Sequence, residues 1–261
     1  MKTLEESITM AMETQETAIF PFLPYILQDF WEIGTPPQMV IDLIQKHCKH
    51  VSSLHVLDLG SGKGAVSIKL AAAFKCHCYG IDGIPEFVEA SKEKAKEYGV
   101  ETLCRFEVGD VRKKIEELGA FDVIILGATG PIFDDYFTAL TTLSKHLTAD
   151  GIIIINEAYI DNTYNPKNPT YSSVLSRKEL LKQFSQAGME LADENADKSA
   201  DFDKEIENLR RRANELKIKH PEKASLFEKY IQEQMGGYDD LKNSLLSFVM
   251  VVKRTKASFV E

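Results

Sequence analysis

The chain has 261 residues, 44% of them hydrophobic and 27% charged, a globular composition that excludes a mainly disordered or collagen-like protein. That length suits one large domain or two small ones. Lysine and arginine number 31 against 40 aspartates and glutamates, and the resulting charge of −9 argues against a broad basic surface for nucleic acid or an anionic membrane.

Read in order, the first 50 residues are helical. Thr3 with Glu6 has the pattern of a capping box. An aromatic stretch interrupted by prolines follows (Phe20, Phe22, Tyr25, Phe30, Trp31). After Pro36-Pro37 a second helix has Met39, Val40, Leu43 and Ile44 on one face. Short apolar runs then alternate with helical patterns. The runs cover 56–59, 78–81, 103–108, 123–126 and 152–155, and the helices 64–74, 85–98, 112–118 and 134–147. The runs are apolar on both faces, as strands covered on both sides are, so the expected core is a doubly wound, mostly parallel α/β sheet.

A loop over 161–174 precedes a helix that starts near Ser176 and Glu179 and stops at Gly188. Residues 189–192 and 247–253 read as two more strands, giving seven in all. Between them, 193–243 is heavily charged but keeps two apolar stripes: Phe202, Ile206, Leu209, Ala213, Leu216, and then Leu226, Phe227, Tyr230, Ile231. An amphipathic helical hairpin is expected there. The expected organisation is one domain over 1–261. It comprises a helical cap (1–50), the core (51–192 and 244–254) and the insert (193–243).

No run reaches the roughly 18 apolar residues of a membrane-spanning helix, and the acidic N-terminus lacks the pattern of a signal peptide. The cysteines (Cys48, Cys76, Cys78, Cys104) form no C-x-x-C pair, so a reduced, cytoplasmic setting is expected. Cys76 and Cys78 share one strand face and read as core residues rather than a metal site; no metal is expected.

The segment Val56-Leu57-Asp58-Leu59-Gly60-Ser61-Gly62-Lys63-Gly64 joins an expected strand to an expected helix. Glycines there let the backbone turn tightly and approach a ligand closely. Lys63 is expected to face solvent. Asp82 ends the next strand, where a carboxylate accepts ribose hydroxyls. Asp58, just before the first glycine, repels a pyrophosphate and suits a ligand with a cationic end. The structural alternatives are plain: each of Asp58, Asp82 and Asp110 could serve only as a loop or helix cap.

These residues resemble the class I S-adenosylmethionine-dependent methyltransferases from about Pro37 to Lys253, most closely the small-molecule, quinone-biosynthesis-like branch. The resemblance implies a Rossmann-like fold with S-adenosyl-L-methionine as cofactor. It places the methionine part along Asp58, Gly60, Ser61, Gly62 and Gly64, and the ribose at Asp82 with Gly83 and Ile84. The adenine falls at Asp110 and Val111, and the methionine amine near Gly127.

Methyl transfer at a sulfonium carbon needs alignment and exclusion of water, and a base only where the nucleophile arrives protonated. His47, His50, His55, His77 and His146 fall at the amino ends of the expected strands or within the sheet, away from the ligand edge. Glu157 and Tyr159, after the fifth strand, are the candidate catalytic residues; Asp29 and Glu32 are further polar groups beside Trp31. Tyr25, Phe30 and Trp31 are candidate acceptor-lining residues. The fourth strand exits into Gly127-Ala128-Thr129-Gly130-Pro131, which lacks the Asn/Asp-Pro-Pro-aromatic motif of the resembled family's DNA amino-methylating enzymes, the Pro-Cys of its cytosine-carbon type and the carboxylate of its metal-dependent catechol type. A small-molecule acceptor is therefore expected, without nucleic acid. The N-terminal segment, the 161–174 loop and the insert are expected to cover the acceptor. A homodimer through the insert is the competing use of that hairpin. Two other functions compete: a nicotinamide-dependent oxidoreductase on a similar sheet, and a non-catalytic S-adenosylmethionine-binding module.

Overall fold

A computed structural model describes residues 2–130, 132–160, 166–196 and 202–255. In chain order the helices are α1 (Leu4–Ala11), α2 (Leu23–Ile26), α3 (Pro37–His47), α4 (Ala65–Phe74), α5 (Pro85–Glu97), α6 (Val111–Lys114), α7 (Tyr136–Leu143), α8 (Arg177–Gln186), α9 (Phe202–Lys219) and α10 (Ala224–Asn243). The strands are β1 (His55–Leu59), β2 (His77–Asp82), β3 (Cys104–Val108), β4 (Phe121–Gly127), β5 (Leu147–Ile160), β6 (Met189–Ala196) and β7 (Leu245–Arg254).

The seven strands form one sheet in the order β3-β2-β1-β4-β5-β7-β6. The pairs β1–β2, β2–β3, β1–β4 and β4–β5 are parallel, and β6–β7 is antiparallel. The expected doubly wound, mostly parallel seven-stranded sheet is therefore present. Burial explains why these runs are strands. Val123, Ile124 and Ile125 on β4 and the four isoleucines 152–155 on β5 are fully buried on both faces. Chain order reverses between β1 and β4, which opens a crevice at their carboxyl ends, the usual ligand position in such sheets.

The described residues group into two compact units. Residues 31–130, 132–157, 178–196 and 248–255 form the sheet unit. Its core joins Val40, Leu43 and Ile44 of α3 to Val56, Ile68, Val88, Phe106, Val123, Ile125, Ile152, Ile154, Val249 and Val251. Helix α3, expected with the N-terminal cap, thus packs with the sheet. Cys76 and Cys78 lie in the same core.

Residues 1–30, 158–177 and 197–247 form the helical unit. The N-terminal segment, the loop after β5 and the insert, grouped by the sequence reading, assemble with one another; 161–165 and 197–201 lie outside the described residues. Thr3 and Glu6 make the expected capping box. In the insert, α9 packs against α10 with Lys217–Glu228 and Lys242–Asp203 ion pairs between them. Leu209, Ala213, Leu216, Phe227 and Tyr230 of the two stripes are buried. Asn168 knots the three segments: its Nδ2 donates to the carbonyls of Glu13 (3.0 Å) and Glu233 (2.9 Å), and its amide donates to Asp240 (2.8 Å).

Several boundaries differ from expectation, two of them where charged or polar residues continue a strand. β6 continues through Asp193 and Glu194 to Ala196, where the insert was expected to have begun. It is an edge strand, where charged side chains are tolerated, and Asp193 pairs with Lys46 and His47 at 2.7 Å. β5 begins at Leu147, within the helix expected over 134–147. Leu147 pairs with Phe121, and a register shift leaves Thr148–Gly151 out of the ladder before Ile152 pairs with Val123.

Candidate active site

β1 to β4 are parallel, so the residues that follow them meet along one edge of the sheet unit. Gly60 leaves β1, Asp82 ends β2, Asp110 follows β3 and Gly127 ends β4. The four motifs found in the sequence are brought together in this way.

Asp82 is the hub. Its Oδ2 accepts the Gly62 amide and its Oδ1 the Ile84 amide, both at 2.8 Å. Its own carbonyl accepts the Gly109 amide at 2.9 Å, which places Asp110 beside it. Burial raises the Asp82 carboxyl to about 6 against those donors. Burial likewise raises Asp58 to about 6; its Oδ2 accepts the Ser67 hydroxyl at 2.7 Å. Two buried carboxyls thus flank one glycine turn, an electrostatic setting that favours a ligand bringing hydrogen-bond donors or positive charge.

The turn is shaped by close approach. A Cβ on Gly60 would lie 2.5 Å from the Thr129 methyl, and one on Gly127 would lie 2.5 Å from Thr35 Oγ1. At Gly62, φ is +53° and a Cβ would meet nothing within 4 Å, so the backbone is left bare toward open space. Around this cradle the side-chain oxygens of Thr35 and Ser61 are buried with no hydrogen-bond partner among the described residues. Bare glycine backbone, two buried hydroxyls without partners and two buried carboxyls fit a polar cofactor with amino-acid and ribose parts.

Asp110 caps α6 through the Arg112 amide, as its structural reading anticipated, and also takes the Arg112 guanidinium in a fork. Val111 is buried behind it.

The remaining sequence candidates separate. Glu157 and Tyr159, expected after the fifth strand, lie within β5, which runs on to Ile160; Glu157, in the sheet unit, accepts the Tyr136 hydroxyl. Tyr136 is buried and its hydroxyl is pushed well above the usual range, first by burial and then by the Glu157 charge. Tyr25, Phe30 and Tyr159 belong to the helical unit. Tyr25 donates to Glu215 at 2.6 Å, and Asp29 pairs with Arg211 and Arg212. Trp31, in the sheet unit, donates from Nε1 to the Lys63 carbonyl at 3.1 Å and stacks with Tyr98, its ring flanked by Lys69 and Lys94. Glu32 pairs with Lys69.

One expectation is corrected. Lys63 is buried rather than exposed, with its ammonium 5.3 Å from the Phe87 ring centre; the tight turn folds its stem against α5. Sequence reasoning also missed Thr35, Tyr136 and the Arg112 fork. The Gly34-Thr35-Pro36 turn offered a signal for Thr35; the other two depend on contacts made only in the fold.

The model for a methyltransferase domain matches residues 50–223. The ubiquinone biosynthesis O-methyltransferase of Rickettsia canadensis is 27% identical over 172 residues, which cover 59% of this chain and 70% of that protein. The release factor glutamine methyltransferase of Bacillus anthracis is 35% identical over 92 residues, so the matched stretch spans about a third of that relative (32%). Among solved structures, a S-adenosylmethionine-dependent methyltransferase from Geobacter sulfurreducens, in complex with S-adenosyl-L-homocysteine, shares the fold. Its TM-score is 0.73 at 21% identity, over 90% of this chain and 98% of that one. The chain belongs to the methyltransferase-domain family, with the fold of the class I S-adenosylmethionine-dependent enzymes.

Proposed function

We propose that the protein transfers a methyl group from S-adenosylmethionine to a small-molecule acceptor. The gathering of Asp58, the Gly60–Gly64 turn, Asp82, Asp110 and Gly127 along one sheet edge carries this reading. Asp82, with Gly83 and Ile84, would hold the ribose, and Asp110 with Val111 the base. The Gly60-Ser61-Gly62 backbone with Thr35 and Gly127 would hold the amino-acid end. When bound, the cofactor supplies a methyl group already activated by its sulfonium.

The chain's own contribution is alignment and exclusion of water. Glu157, held by Tyr136, takes the proton of an acceptor group that arrives protonated. Of the candidate acceptor-lining residues, Trp31 lies beside the glycine turn through its bond to the Lys63 carbonyl; Tyr25 and Phe30 belong to the helical unit, as does Tyr159, the second candidate catalytic residue. Support for a small molecule comes from the acidic charge and from the Gly127-Ala128-Thr129-Gly130 exit of β4. The quinone-related relative points the same way. The reading includes a cytoplasmic setting, no nucleic-acid partner, and a homodimer through α9 and α10 as an alternative use of that hairpin.

The test is incubation with methyl-labelled S-adenosylmethionine and a metabolite extract. Label should enter a small molecule with the wild-type protein and not with Asp82→Ala. Label confined to protein or nucleic acid in a whole-cell extract would contradict the acceptor class.

A further inference from the structure

The Asp110 carboxylate is not a free acceptor. Its Oδ1 receives the Arg112 amide at 3.1 Å and Arg112 Nε at 2.9 Å, and its Oδ2 receives Arg112 Nη2 at 2.8 Å. A carboxylate offers about four acceptor positions. Among the described residues three are taken, all by Arg112, and one remains, on Oδ2. The pair is largely buried, with Asp110 and Arg112 side chains 12% and 11% exposed, so solvent screens it less than a surface pair.

The backbone around the pair is fixed as well. The Gly109 amide donates to the Asp82 carbonyl at 2.9 Å, and the Asp110 carbonyl receives the Lys113 and Lys114 amides at 3.0 Å. Asp134, from the segment between β4 and α7, adds a second negative charge near the Arg112 guanidinium. Arg112 is therefore held at the end of β3 by Asp110, with the Asp134 charge favouring its guanidinium.

We propose that Arg112 is a positioning residue that fixes the plane of the Asp110 carboxylate and leaves one acceptor position, so that Asp110 selects a cofactor base bearing an exocyclic amine over one bearing a carbonyl there. This rests on the assignment of Asp110 to the base. A rigid acceptor-only group discriminates well: a 6-amino group donates into the open position, whereas a 6-oxo group sets acceptor against acceptor. A carboxylate free to rotate, or one offering a water-filled second position, discriminates less. Only a planar fork fixes it, so lysine does not replace arginine here.

The test compares binding of S-adenosylhomocysteine and S-inosylhomocysteine by calorimetry. Wild-type protein is expected to prefer the adenine compound by about tenfold or more, the order of one hydrogen bond to a charged group. Asp110→Asn, whose amide can turn a donor outward, should narrow or reverse the preference. An unchanged preference in Asp110→Asn would mean that Asp110 does not read the base, and would overturn the assignment beneath the proposal. Arg112→Met should bind both compounds with a preference reduced about fivefold or more, on the same scale. Arg112→Lys, which keeps the charge and loses the fork, should show the same loss; it decides the matter if Arg112→Met does not fold. A preference within twofold of wild type in the folded Arg112 variants, with Asp110→Asn altered, would overturn the role of Arg112 alone.

Discussion

The Gly62 amide donates to Oδ2 of Asp82 at 2.8 Å, so the carboxylate that ends β2 also holds the turn that follows β1. The residue expected to bind ribose is thus part of the scaffold that shapes the cradle. Asp82→Ala leaves the Gly62 and Ile84 amides without this acceptor. It should weaken S-adenosylhomocysteine binding by about 1.5–3 kcal/mol and also lower the stability of the ligand-free protein by about 1–2 kcal/mol. Calorimetry and denaturant unfolding check the two effects separately. Unchanged affinity would reduce Asp82 to a cap.

Protonation state follows from the same burial. The Asp82 carboxyl is raised to about 6 by desolvation, against its ordinary 3.8. Ribose hydroxyls donate to the ionised form, so ligand binding favours it. Affinity for S-adenosylhomocysteine should therefore be constant above pH 7 and fall as pH drops through about 6, with proton release on binding near pH 6. Asp58, also raised to about 6, adds to any such slope, so Asp82→Asn is the control that isolates Asp82. A wild-type affinity independent of pH between 5 and 7.5 would contradict the assignment.

Thr35 is 4% exposed and its hydroxyl finds no partner among the described residues. Burying a hydroxyl without a hydrogen bond is unfavourable. Thr35→Val, which keeps the shape, should raise ligand-free stability by up to about 1 kcal/mol, or roughly 2–4 °C in melting temperature. S-adenosylhomocysteine affinity should fall, and Thr35→Ser should restore it. A lowered melting temperature for Thr35→Val would show that the hydroxyl serves the fold instead.

In the helical unit, Glu13 accepts the Tyr171 hydroxyl on Oε1, while its Oε2 is buried against Gly237 without a partner among the described residues. Burial raises its carboxyl from 4.5 to about 7, with Glu205 and Asp240 adding to the rise and Tyr171 opposing it. A raised acid favours folding while protonated, so its contribution is complete below about pH 4.5 and is lost as pH rises through 7. Amide exchange in α1 and α10 should quicken between pH 5.5 and 8 beyond the intrinsic rate change, and Glu13→Gln should remove that excess. An excess retained in the variant would assign it to another group.

Much of the sheet was legible because its strands are apolar on both faces and its glycine and aspartate positions fall at strand ends. Asp58 and Asp82 could be placed from their spacing to the glycine turn, and Asp110 and Gly127 from the family resemblance, because a parallel sheet brings such strand ends to one edge. What could not be read depends on side-chain contacts. Thr35 matters because a turn before α3 lies against Gly127, and Arg112 because a short turn folds its guanidinium back onto Asp110. Lys63 read as exposed because its stem packs on Phe87 only after the turn forms. β6 read as ending early because Asp193 and Glu194 look like the start of a charged insert, and only their edge position shows why they remain a strand.

Direct ligand binding by the wild-type protein tests the central claim most sharply. Calorimetric titrations with S-adenosylmethionine, S-adenosylhomocysteine and NAD should show one saturable site for the first two and none for the third. Tight NAD binding with no response to either S-adenosyl compound would contradict the account.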